Sequence, residues 1–190
     1  MLYTAAWFIA VIYSTIPGYW LIIHPRAGHW AGQGGRRLIE IGPVWPLLWM
    51  LAAGLTWHWR RIVLYCLRWT WLPAGMLILS GMVIYGFAKQ RFSIAELLGY
   101  PELEPHQHKQ TLRTSGIRRH IRHPYYLGHL CELLGWAIGS GLLVVYGLTL
   151  VAMVSGYFMV VAEERELEAR FGDEYRHYRR HTATMLPGIW

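Results

Sequence analysis

The sequence predicts an all-α integral membrane protein of about five transmembrane helices, ending in a C-terminal helical hairpin and an amphipathic cytosolic tail helix. Three observations carry this. Of the 190 residues, 54% are hydrophobic and only 15% charged, and the mean hydropathy is +0.23, more apolar than an ordinary soluble domain. Five segments approach the roughly 20 apolar residues that a membrane span needs. The basic residues are also spread unevenly around those segments, as the positive-inside rule requires.

The first segment, 2–23, has no basic leader and no small-x-small cleavage site before His24, so it reads as a span and not as a cleaved signal. The second and third are 41–59 and 69–88. The fourth, 124–140, is the shortest, about 25 Å long as a helix, and the fifth is 142–162. Gly139-Ser140-Gly141 lies between these last two, and two apolar segments joined by a tight glycine turn make a hairpin. A hairpin returns both its ends to one side, which brings His123 and Glu163 together where membrane meets water. Residues 89–123 form the longest polar stretch, a loop of a length usually tied to function or disorder. Its second half runs directly into Arg122-His123-Pro124, which favours a cap over a site. The whole chain is thus one membrane domain: spans over 1–88, a cytosolic capping loop over 89–123, the hairpin over 124–162 and a cytosolic tail over 163–190.

Charge sets the expected orientation. Arg60, Arg61 and Arg68 lie on one side, and the other 15 of the 18 Lys and Arg lie on the side that carries the C-terminus. That bias predicts a multi-pass inner- or plasma-membrane protein with a cytoplasmic C-terminus. It also accounts for the net charge of +7 by attraction to anionic headgroups. The basic residues are dispersed and no nucleic-acid module is present, so nucleic acid is not an expected partner. Cys66 and Cys131 make no disulfide framework.

In the tail, Leu167, Phe171, Tyr175 and Tyr178 recur at helical spacing as an apolar stripe. Glu166 and Arg170 share a charged face, and Gly172 kinks or interrupts the helix. Such a helix either lies on the lipid surface or packs back over the site as its wall. Pro124 suits the first turn of the fourth helix and places His123 at its N-terminus. The pair Glu163-Glu164 stands at the C-terminal end of an apolar helix, disfavoured by the helix dipole and by anionic lipid; a cationic ligand would relieve both. Glu132, inside the fourth span, is either a functional carboxylate or a structural partner of His129 three residues earlier. His106, His108, His120 and His123 have spacings a metal could use, but nothing in the sequence completes a tetrahedral set, and no metal is expected. Gly32-Gln33-Gly34-Gly35 follows no strand and is not a dinucleotide fingerprint.

Taken in order, Leu112-x-Thr114-Ser115-Gly116-Ile117, Arg122-His123-Pro124-x-Tyr126-x-Gly128, Glu163-Glu164-x-x-Leu167, Phe171-Gly172-x-x-Tyr175-x-x-Tyr178 and a late Pro187 resemble the membrane-embedded methyltransferase family that includes isoprenylcysteine carboxyl methyltransferase and the phospholipid methyltransferases. The resemblance covers about two fifths of the chain, residues 111 to 187. It implies S-adenosylmethionine as methyl donor, held on the cytosolic side without a Rossmann fold. By motif position, Gln110, Thr111, Leu112 and Arg113 would line the cofactor from the loop. His123, Pro124, Tyr125 and Tyr126 would line it from the start of the fourth helix, and Glu163, with Glu164, would meet its charged methionine end. Carboxylates and aromatic faces suit a ligand that carries a sulfonium and an ammonium.

Two positions depart from the prenylcysteine enzymes. Their arginine four residues before the cofactor glutamate is Met159 here, and their tyrosine after the loop glycine is Arg118. The acceptor is therefore expected to be lipophilic, membrane-partitioned and not held by its carboxylate, with Met159 and Glu132 as the residues nearest it. An ammonium acceptor would first have to lose a proton, whereas a carboxylate or thiolate would not. A reductase akin to the membrane sterol reductases, and a non-catalytic protein retaining the fold, are the rival readings.

Overall fold

The computed structural model describes residues 2–30, 34–88 and 111–186. Its helices are α1 (Leu2–Ile23), α2 (Gly34–Ile41), α3 (Val44–Thr56), α4 (Trp71–Ala88), α5 (Pro124–Ser140), α6 (Leu143–Phe171) and α7 (Asp173–His181). Single 3-10 turns lengthen α3 through Trp57–Trp59 and precede α4 at Arg68–Thr70. Among the described residues, four helical stretches are long and apolar enough to cross a membrane: Leu2–Trp30, Ile39–Trp59, Arg68–Ala88 and Leu143–Phe171. α5 has 17 residues, about 25 Å.

The helices are apolar on the outside as well as the inside. α3 buries none of its residues and exposes Leu47, Met50, Leu51 and Leu55; α4 exposes Leu72, Met76, Leu79 and Met82. A face of this kind is stable against hydrocarbon and not against water. The interior is built from α1, α5 and α6, where Trp7, Ala10 and Val11 meet Leu133 and Ala137 of α5 and Val145 and Leu148 of α6.

Lipid supplies no hydrophobic drive for one apolar helix to find another, so close approach through small residues must do that work. α4 and α5 show this directly. A Cβ on Gly135 would come within 2.8 Å of the Ala74 carbonyl oxygen, and one on Gly81 within 2.8 Å of the Gly128 carbonyl oxygen. Gly135→Ala is therefore expected to lower the thermal unfolding temperature in detergent. Overpacking against backbone costs about 1–3 kcal/mol, against roughly 1 kcal/mol that alanine returns in helix propensity. Gly75→Ala, where an added Cβ meets nothing within 4 Å, is expected to be neutral or mildly stabilising.

The hairpin turns at Gly141, which caps α5 with a left-handed backbone (φ +63°). A Cβ there would lie 2.4 Å from the Tyr65 carbonyl oxygen, so both conformation and space call for glycine. The turn is fixed to the loop before α4 by Leu64 N–H donating to the Gly141 carbonyl (2.8 Å) and Leu143 N–H to that of Ile62 (3.0 Å).

The apolar part of α6 ends at Ala162, yet the helix continues without a break to Phe171. Gly172 stops it (φ +55°), and α7 then folds back. Tyr175 and Tyr178 are buried, so the tail's aromatic stripe faces protein. The wall reading of the tail holds for this part.

Candidate active site

At one end of the bundle the start of α5, the middle of α6 and the tail converge on four charged residues. His123, the residue before α5, has its ring against both glutamates. Its Nδ1 lies 3.4 Å from Glu163 Oε2 and its Nε2 3.2 Å from Glu164 Oε1. Tyr126, one turn into α5, donates its hydroxyl to Glu163 Oε2 at 2.7 Å. Its ring stacks on that of His123, with centroids 5.5 Å apart and 13° between planes. The hairpin thus does what its sequence predicts: residues 40 apart in the chain are in contact.

Arg122 organises the other half. Its Nε donates to Glu164 Oε1 at 2.8 Å. Nη1 bonds the carbonyls of Arg179 and Thr182, and Nη2 donates to Thr184 Oγ1 at 2.8 Å. Its own backbone N–H donates to the Ala183 carbonyl (2.8 Å), and that of His123 to the Thr184 carbonyl (3.0 Å), so the tail after α7 lies alongside 121–123 as a short parallel bridge. Tyr178 closes the same wall by donating to the Arg118 carbonyl at 2.6 Å. Arg118 in turn reaches the Ala88 carbonyl at the end of α4.

The two glutamates are not equivalent. Glu164 is 9% exposed in its side chain and is shared by Arg122, His123 and Arg179, the last at 3.3 Å. Its charge is used up within the protein. Glu163 is 21% exposed, and among the described residues the edge of His123 and the Tyr126 hydroxyl both meet its Oε2, which leaves the other oxygen for another partner. Glu164 is thus held inside the frame, while Glu163 keeps part of its carboxylate exposed.

Electrostatics follow from this geometry. Burial alone would lower the His123 pKa, but the charges and hydrogen bonds of Glu163 and Glu164 outweigh it and raise the group to about 9. Burial would raise Glu163, just past the apolar part of α6, yet His123, His24 and Tyr126 hold it down at about 2. Glu164 is likewise lowered against its burial by His123 and Arg122. A raised histidine pKa stabilises fully below its ordinary value of 6.5 and loses that contribution as pH climbs through 9; the depressed carboxylate stabilises above 4.5 and loses it towards 2. Thermal stability in detergent is therefore expected to be flat between about pH 5 and 6.5 and to fall progressively up to about pH 9. His123→Gln is expected to remove that alkaline decline while lowering the plateau.

Other predicted site residues are placed less centrally. Pro124 is buried beneath the cluster. The Tyr125 ring points to α4, 5.8 Å from that of Tyr85, on another side of α5 from Tyr126. Thr111 is exposed and Leu112 and Arg113 half-buried in an irregular segment; Gln110 and Pro187 lie outside the described residues. Met159, one turn deeper than Glu163, is fully enclosed. Glu132 does not pair with His129. It is buried with its carboxyl turned to the Tyr13 hydroxyl of α1, while His129 Nδ1 sits 2.8 Å from the Tyr125 carbonyl. The reason is angular: three residues on, Glu132 faces α1, whereas the imidazole folds back onto the preceding turn. The His129 ring lies between those of Tyr13 (5.0 Å) and Tyr85 (5.2 Å), so the membrane interior holds a polar, aromatic-lined patch.

The sequence reading gave no place in the cluster to Arg122 or His24, and it named Tyr175 only within the tail's stripe and motif. Arg122 reads as a membrane anchor until its partners 42 to 62 residues away are seen. His24, in the turn after α1, is buried with Nδ1 3.5 Å from Glu166 Oε2 and its ring stacked on Trp20, tying the first helix to the carboxylate-bearing stretch of α6. Tyr175 is buried, and its hydroxyl has no hydrogen-bond partner among the described residues. The aromatic periodicity points to Tyr175, but no local signal marks the other two.

The profile of the phospholipid methyltransferase family matches residues 74–174, which take in α4, α5, α6 and the whole four-residue cluster. The chain is similar to the protein-S-isoprenylcysteine O-methyltransferase of Rattus norvegicus, 32% identical over 63% of this chain and 43% of that protein. It is also similar to the methanethiol S-methyltransferase of Mycobacterium tuberculosis, 30% identical over 70% of this chain and 57% of that protein. A second methanethiol S-methyltransferase, from Pseudomonas deceptionensis, is 26% identical over 63% and 44%. The chain spans about half the length of the curated relatives it matches. No solved structure matches it. With more than half of its residues under that profile, and the charged cluster within it, the chain belongs to the phospholipid methyltransferase family of integral-membrane methyltransferases.

Proposed function

We propose that this protein is an S-adenosylmethionine-dependent methyltransferase that acts on a lipophilic acceptor at the cytosolic face of its membrane. The observation that carries this reading is the unequal glutamate pair: one carboxylate is neutralised internally, and its neighbour is left partly exposed with an oxygen to spare.

The residues present fit the donor. Glu163 would take its ammonium, the stacked rings of Tyr126 and His123 offer a π-rich wall to a cation, and the unpartnered Tyr175 hydroxyl offers a buried polar atom in the same cluster. When bound, the donor supplies a methyl group on a sulfonium. The protein's own work is then to hold donor and acceptor in line and keep water away, which can remove several kcal/mol from the barrier. The backbone pairing of 121–123 with 182–184 and the Arg122 bonds close the solvent side and do the excluding.

On the acceptor side, the Tyr13, Tyr85, His129 and Glu132 patch is reached by following α5 from the cluster into the membrane. His129 lies about 4.5 Å along the helix from Tyr126. The relatives are named for a prenylcysteine carboxyl and for methanethiol, so the shared frame accommodates more than one nucleophile. Met159, apolar and enclosed, favours an acceptor held by its lipophilic part, and free farnesylcysteine is a poor candidate. Equilibrium binding of radiolabelled S-adenosylmethionine to the purified protein tests the reading. Saturable binding that a nicotinamide dinucleotide does not displace is expected. Displacement by the dinucleotide would transfer the site to the reductase reading, and no binding of either to a folded protein would leave a non-catalytic role.

A further inference from the structure

At the end of the bundle opposite the carboxylate cluster, the start of α1, the loop after α3 and the α5–α6 turn enclose a cavity of about 260 Å³. Tyr3, Thr4, Arg60, Arg61, Val63 and Leu142 line it. The volume far exceeds the roughly 30 Å³ share of one water and falls just short of the ~300–1,000 Å³ of whole-ligand pockets. It suits one polar headgroup.

Its charge is one-sided. Residues 1–20, 57–70 and 138–150, which build this end, contain no Asp or Glu. Neither Arg60 nor Arg61 has an ion-pair or hydrogen-bond partner among the described residues. Arg60 is held in place all the same: its guanidinium carbon lies 3.3 Å over the Trp57 ring and 5.5 Å from that of Trp7. Stacking covers a face of the guanidinium and leaves its N–H edge to an in-plane acceptor. Two guanidiniums lining one cavity, with no internal counter-charge, make a receptor for an oxyanion; Thr4 lines it too, while the Tyr3 hydroxyl is engaged with Cys66 Sγ at 3.2 Å. The floor and rim are apolar: Val63 and Leu142 line the cavity, and Ile62, Leu64 and Trp59 are exposed around it.

We propose that this cavity binds the phosphodiester headgroup of a membrane phospholipid, with the acyl chains lying along the apolar rim, and that the bound lipid ties α1 to the two loops beside it. The site is independent of the methyl-transfer reading. Its residues lie outside the carboxylate cluster, and its test involves no methyl donor.

Native mass spectrometry of the detergent-purified full chain, titrated separately with phosphatidylglycerol, diacylglycerol and inorganic phosphate, separates the alternatives. One phosphatidylglycerol per chain is expected to be retained, with diacylglycerol and phosphate each held at least about tenfold more weakly. Arg60→Gln with Arg61→Gln is expected to weaken phosphatidylglycerol retention by about tenfold or more, whereas Arg68→Gln, at the same end but not lining the cavity, leaves it unchanged. Arg61→Gln alone breaks no contact among the described residues, so its severalfold loss keeps the proposal testable if the double variant does not fold. Equal retention by wild type and Arg61→Gln overturns the proposal, as does diacylglycerol binding that matches phosphatidylglycerol. Inorganic phosphate that displaces the lipid stoichiometrically would reassign the cavity to a free anion and overturn the lipid assignment.

Discussion

Arg122→Met is expected to destabilise the protein by about 3 kcal/mol, the low end of the cost of breaking a buried ion pair. The substitution leaves the aliphatic packing but removes every guanidinium bond: to Glu164, to the carbonyls of Arg179 and Thr182, and to Thr184 Oγ1. Among the described residues Glu164 then keeps His123 and Arg179, which holds the cost at the lower figure. The tail's parallel pairing to 121–123 depends on the same anchor, so the Arg122 and His123 amides, which donate to the Ala183 and Thr184 carbonyls, are expected to lose protection before the helices unfold. Hydrogen exchange in detergent reads this out residue by residue. A double-mutant cycle with Glu164→Gln separates the pair from its surroundings. If the penalty is the buried carboxylate left uncompensated, the double variant recovers part of the stability lost by Arg122→Met alone. If the losses simply add, Arg122 acts through the tail carbonyls and not through Glu164.

Much of this architecture is legible along the chain, because the relevant signals are local. α1 and α5 occupy the predicted residues: Pro124 starts α5 and the left-handed Gly141 ends it, each for a reason confined to its own turn. The hairpin follows from that turn, and with it the meeting of His123 and Glu163. Where the sequence leaves the outcome open, the physics is non-local or the change in composition is not a change in conformation. The switch from apolar to charged at Glu163 ends the apolar run and allows the helix either to continue or to restart; Glu, Arg, Leu and Ala all favour helix, and α6 runs on to Phe171. Gly128, Gly135 and Gly139 recur at spacings of seven and four along α5, a small-residue pattern of membrane helix interfaces; only the α4 backbone lying against α5 shows which helix they meet and why no side chain fits. Arg122 is one arginine among several beside a span. Its identity as the centre of the cap exists only after the tail folds back across some 60 residues of sequence.

Glu163→Gln is expected to weaken S-adenosylmethionine binding by roughly ten- to a hundredfold, the loss of one charge-assisted contact worth about 1.5–3 kcal/mol. Glutamine keeps the shape and can still accept from Tyr126, so the stacked Tyr126–His123 wall is expected to stay in place. What disappears is the charge on the only glutamate of the pair that faces outward. Two controls make the result specific. Glu168→Gln, on the same helix but paired with the half-exposed Arg176 and Arg179, is expected to change binding less than twofold, as surface ion pairs contribute little. Glu164→Gln is expected to behave in the opposite sense to Glu163→Gln. It strands Arg122 and lowers the unfolding temperature, while its direct effect on binding is small in whatever fraction remains folded. A hydrogen bond from His123 to Glu163 also predicts that Glu163→Gln flattens the alkaline decline in stability, because the imidazolium has lost one of the two carboxylates that raise it. Equal binding losses at 163 and 168 would reduce the exposed carboxylate to general surface charge. Equal losses at 163 and 164, with unfolding temperatures unchanged in both, would show that the two glutamates share the ligand and that the division between frame and site is wrong.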